Sequence, residues 1–95
     1  MISQNDEAQV TQDHIDNGKP KSAPSCPFAL AIKEKGIEGV WVTPTRVEID
    51  FGEVVLKNSK QVKNWIKAFD LGFKVSPITF NLDYESRLIR LQGEV

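Results

Sequence analysis

Asn58-Ser59-Lys60-Gln61-Val62-Lys63-Asn64-Trp65-Ile66-Lys67-Ala68-Phe69-Asp70-Leu71-Gly72 is the stretch around which the rest of the chain arranges itself. Val62, Trp65, Ile66 and Phe69 stand at i, i+3, i+4 and i+7. At about 100° per residue they form one stripe of a helix. Lys60, Lys63 and Lys67 fall on the opposite side. Asn58 or Ser59 suits the N-cap, with Gln61 three residues after Asn58. Gly72 stands where a left-handed C-cap forms. The spacing predicts a helix over 59–70 whose aromatic stripe lies on a sheet.

Strand patterns lie on both sides of it. After the helix, Ile78, Phe80, Leu82 and Tyr84 alternate with Thr79, Asn81 and Asp83. Residues 84–87 make a turn, and Ile89, Leu91 and Val95 alternate with Leu88, Arg90, Gln92 and Glu94. That is a hairpin. Before the helix, Val47, Ile49 and Phe51 point to the core while Arg46, Glu48 and Asp50 point to water. Gly52 permits a turn or a bulge, and Val54, Val55 and Leu56 form a short strand. Further back, Phe28, Leu30 and Ile32 alternate with Ala29, Ala31 and Lys33. Gly36 and Gly39 mark a loop before Val40, Trp41 and Val42, so 28–43 reads as another hairpin. The expected order is β-β-β-β-α-β-β. This is an α+β, two-layer fold, a mainly antiparallel sheet of about six strands with one amphipathic helix on one face.

Residues 1–26 read differently. Their large apolar residues after Met1 are Ile2, Val10 and Ile15, with neither helical nor strand spacing. Such a segment buries too little apolar area to offset an ordering entropy of about 1–2 kcal/mol per residue. We expect a disordered acidic and polar N-terminal tail over 1–26, with a single small domain over 27–95. Asp6, Glu7, Asp13 and Asp16 against Lys19 and Lys21 give this tail a charge of −2.

Composition narrows the function classes. The 95 residues carry 12 Lys+Arg and 13 Asp+Glu, for a net charge of −1. No apolar run approaches the roughly 18–20 residues of a membrane span, and no secretory signal pattern opens the sequence. Cys26 is the one cysteine, which rules out a disulfide scaffold and fits a cytoplasmic setting.

Four constellations carry candidate chemistry. Trp41 alternates away from Val40 and Val42, so it points to the sheet face the helix leaves open. Ala29, Ala31 and Leu88 are expected to share that face, and an open Trp among small residues is a protein-docking surface. Lys60, Lys63 and Lys67, within a run from Lys57 to Lys74 whose one acid is Asp70, suit phosphates or an acidic partner. The pI of about 5.8 argues against a dedicated nucleic-acid binder. Glu48, Asp50 and Glu53 lack the oxygen-rich loop of a cation site and read as solvated strand positions. His14 and Cys26 lie in or beside the expected tail, without a rigid platform for base or nucleophile. No catalytic, metal or cofactor set is therefore expected. The chain reads as a small non-enzymatic accessory or inhibitor module, bound to another protein or to itself as a homodimer. The alternative is a nucleic-acid-associated protein using the helix lysines.

Overall fold

The computed structural model describes residues 5–93. Met1 to Gln4, at the start of the expected tail, and Val95, expected at the end of the last strand, lie outside them. The elements are β1 (Asn5–Val10), α1 (Gln12–Asn17), α2 (Pro27–Glu34), β2 (Trp41–Val42), β3 (Arg46–Ile49), β4 (Val54–Asn58), α3 (Lys60–Asp70), β5 (Ile78–Asp83) and β6 (Leu88–Leu91). The class is α+β, with one six-stranded sheet in the order β1-β5-β6-β4-β3-β2.

α3 is the helix its sequence predicts. Ser59 is the N-cap and its hydroxyl accepts the Val62 N–H, while Val62, Ile66 and Phe69 are buried. Gly72 has φ +86°, and the Phe73 N–H reaches back to the Ala68 carbonyl at 2.9 Å, which closes the last turn. The β5–β6 hairpin also follows its alternation, pairing Phe80 with Leu91 and Leu82 with Ile89.

The sheet is mixed. β4 and β6 run parallel while the other pairs are antiparallel. Laid flat, six strands would spread over about 24 Å, at about 4.8 Å per gap, whereas a helix is about 10 Å thick. Yet α2 packs against both edge strands, β1 and β2. The sheet therefore curls around α2, which fills the gap between its edges. The expected flat two-layer antiparallel arrangement with one helix gives way to a curled mixed sheet and, among the described residues, three helices.

Two further expectations are corrected. Residues 28–33 form helix, not strand. Phe28, Ala29, Ala31 and Ile32 fit an i, i+1, i+3, i+4 stripe as well as a strand pattern, and all four are buried. Pro27 at the first helical position and the alanines favour the helix. Where it is described, the expected disordered tail is also structured. β1 pairs with β5 from Asn5↔Asp83 to Val10↔Ile78, with Ala8 and Val10 buried. Thr11 caps α1 by accepting the His14 N–H, and His14 Nδ1 accepts the Thr11 N–H in return. An outside sheet, rather than its own hydrophobicity, orders this segment.

Asp83 stabilises the β5–β6 turn. Its Oδ1 accepts the N–H groups of Glu85 (3.1 Å) and Ser86 (3.0 Å), and its Oδ2 accepts from Arg90 (3.2 Å). The Ser86 N–H above all, helped by the Ser86 hydroxyl and Arg90, holds this carboxyl below its ordinary range against the opposing effect of burial. The folded state thus favours the carboxylate. Its contribution is whole above the unfolded carboxylate range, about pH 4, and is lost as pH falls through the lowered folded value. Asp83→Asn keeps an oxygen acceptor and loses the charge. It is expected to be less stable than the native chain at pH 6, with the gap closing as the pH drops towards 2. Urea titrations across that range check this.

Candidate binding surface

The surface begins at the sheet edge. In β2 the alternation turns Val42 inward at 4% exposure and Trp41 outward at 50%. Pairing of Trp41 with Glu48 and of Glu48 with Val55 puts these three in one row on the convex face. Val55 is itself 42% exposed.

The turn from β3 to β4 adds an aromatic to this row. Asp50 and Phe51 have φ of +54° and +58°, and the Gly52 N–H donates to the Ile49 carbonyl at 3.2 Å. A two-residue turn with both centres left-handed suits Asn-Gly. A phenylalanine there costs on the order of 1–2 kcal/mol. The conformation is held from outside. Asp50 N–H donates to the Glu38 carbonyl (2.9 Å) and Phe51 N–H to the Gly39 carbonyl (3.3 Å). The Phe51 ring crosses directly over Gly39, where no side chain intervenes. Even so, the ring is 79% exposed, so burial returns little for the strain. Sequence alternation placed Phe51 in the core. The turn at Ile49 to Gly52 ends the strand before it and swings the ring out.

Between Trp41 and Phe51 lies an open cavity of about 380 Å³, lined also by Gly39, Val40, Glu48 and Gly52. Glu48 Oε2 accepts from Arg46 Nε at 2.9 Å. Glu38, Asp50 and Glu53 are exposed around the turn and form no ion pair among the described residues.

The other candidate residues are scattered. Ala29 and Ala31 are buried in α2 at 0% and 3% exposure, because their segment is a helix inside the curl, and they take no part in an outer face. Leu88 is half-buried on the convex face, but β4 and β3 separate its strand from that of Trp41. Lys60 and Lys67 are exposed and Lys63 is half-buried on the outer side of α3. With Lys57 and Lys74 they enter no ion pair among the described residues.

His14 and Cys26 sit on rigid elements after all, yet neither is free for chemistry. His14 is buried, its Nδ1 occupied by the Thr11 N–H, so the ring proton sits on Nε2 and is donated to Glu34 at 2.5 Å. Nδ1 is used in capping α1 and Nε2 in holding α1 to α2. Burial pushes the Cys26 thiol up to about 11, against the opposing Ala29 and Phe28 N–H groups, which leaves almost no thiolate at neutral pH. No cluster of three or more metal-ligating side chains occurs among the described residues. No helix there is long and apolar enough to cross a membrane. Compared with family models, curated proteins and solved structures, the chain matches none.

Proposed function

We propose that the chain is a non-enzymatic binding module that holds a protein partner on the surface formed by Trp41, Phe51 and Val55. Phe51 carries this reading. An aromatic side chain kept in a costly backbone conformation and left 79% exposed serves the fold poorly and a partner well. Trp41 lies across the cavity from it, and the edge strand and turn give both a fixed backbone. A cytoplasmic setting belongs to the same reading and rests on the unpaired Cys26.

The test compares Trp41→Ala and Phe51→Asn with the native chain, against a partner that the native chain retains on an affinity column. Asn tolerates the left-handed region, so the turn survives. Each variant is expected to keep its far-ultraviolet circular dichroism and lose about 2 kcal/mol of binding, roughly thirty-fold in affinity. Unchanged affinity in both removes the reading.

A second reading rests on one observation: the five lysines from Lys57 to Lys74 are without ion pairs among the described residues. Lys60, Lys63 and Lys67 on nucleic-acid phosphates would give an affinity for a short duplex that falls steeply between 50 and 200 mM salt. Equal affinity at both salts, or none at the lower, dismisses it.

A further inference from the structure

We propose that the cavity between Trp41 and Phe51 receives a cationic side chain, arginine or lysine, presented by a basic segment of the partner protein. This rests on the reading of the surface given above and adds the chemistry of what fills it. Both walls are aromatic, and among the described residues no ring contact joins Trp41 to Phe51, so the exposed part of each ring, for Phe51 the side turned away from Gly39, is free. A cation against aromatic faces is attracted by the ring quadrupole, most strongly by tryptophan. Glu48 completes the lining. Its Oε2 is held by Arg46, while its Oε1 lies beside Gly52 without a hydrogen bond among the described residues. A carboxylate oxygen thus stands ready in the same cavity as two rings.

The charge around the cavity points the same way. Glu38, Glu48, Asp50 and Glu53 against Arg46 give a local balance of −3. The backbone bonds Asp50 N–H to Glu38 O and Glu53 N–H to Asp50 O draw three of these residues around one turn. A neutral or acidic partner would cover these carboxylates without pairing them, which is costly. A basic segment would supply the counter-charges as it docks. Guanidinium and ammonium groups share this chemistry, and the planar guanidinium also stacks on aromatic rings.

The experiment uses the full chain, labelled with nitrogen-15, and three twelve-residue peptides that alternate serine with arginine, norleucine or glutamate. The arginine peptide is expected to shift the Trp41 indole N–H and the Phe51 amide. The indole of Trp65, bonded to the Ser76 carbonyl, should stay in place. Its affinity should exceed that of the norleucine peptide at least tenfold. It should fall about tenfold in Glu48→Gln, which retains an acceptor for Arg46, and should vanish in Trp41→Ala. If the norleucine peptide shifts the same signals with equal affinity, the cation inference falls and the apolar docking surface stands. If none of the peptides moves Trp41 or Phe51, both fall. Unchanged arginine-peptide affinity in Trp41→Ala also overturns the inference. So does a mass that rises with concentration and moves the two signals without peptide, because the occupant is then a second copy.

Discussion

Phe28→Ala is expected to leave the chain largely unfolded at 25 °C in low concentrations of urea. Phe28 is fully buried in α2, its ring 4.4 Å from that of Phe80 in β5 and 5.1 Å from that of Trp65 in α3. One side chain therefore joins the plugging helix, the sheet and the outer helix. Removing it forfeits the transfer free energy of the ring and leaves a cavity, together about 3–5 kcal/mol. Two aromatic pairs are lost with it. Domains of this size are stable by about 5–10 kcal/mol, so the deletion consumes from about a third to the whole of the total. Urea unfolding followed by circular dichroism measures the loss. Phe28→Leu, which fills most of the space, should recover more than half of it.

Gly39→Ala is expected to cost about 3 kcal/mol and to disable the binding surface at once. A Cβ there would stand 2.2 Å from the Phe51 backbone nitrogen and 2.8 Å from its Cγ. No side-chain rotation relieves a contact with backbone, so the turn must move away. It then gives up the bonds from Asp50 N–H to Glu38 O and from Phe51 N–H to Gly39 O. The φ of +65° at Gly39 adds about 1 kcal/mol of strain for any residue with a Cβ. Lost bonds at about 1 kcal/mol each supply the remainder. The urea midpoint should drop with an unchanged slope. The amide shifts of Trp41 and Phe51 should move together, whereas Phe51→Asn should alter binding with little effect on the midpoint.

The contrast between these sites explains what the sequence makes legible. α3 could be read because its apolar stripe, cap and terminal glycine all agree. The β5–β6 hairpin could be read because its alternation has no competing period. α2 could not, since Phe28, Leu30 and Ile32 satisfy a period of two while Phe28, Ala29, Ala31 and Ile32 satisfy a helix. Only the surroundings decide between them. β1 has a weak pattern of its own because its core face is just Ala8 and Val10, and it is ordered by β5 far along the chain. The capping box of α1 was hidden by its histidine, which takes the place usually held by Glu or Gln. Trp41 was legible as outward-facing because β2 keeps its alternation. Phe51 was not, because a strained turn replaces the strand one residue before it.

The pairing of β1 with β5 has a consequence for how the molecule comes to be. Asn5 lies opposite Asp83, 78 positions later. During synthesis β1 emerges before the other described strands and has no partner until β5 has followed. Closing so long a loop is slow, and it comes after the local hairpins and helices have formed. Until then the sheet keeps an open edge at β5, and α2 has nothing to seal against on that side. The strand of the sheet made before the others is thus the last of them to be placed, and the curl around α2 closes in a late step.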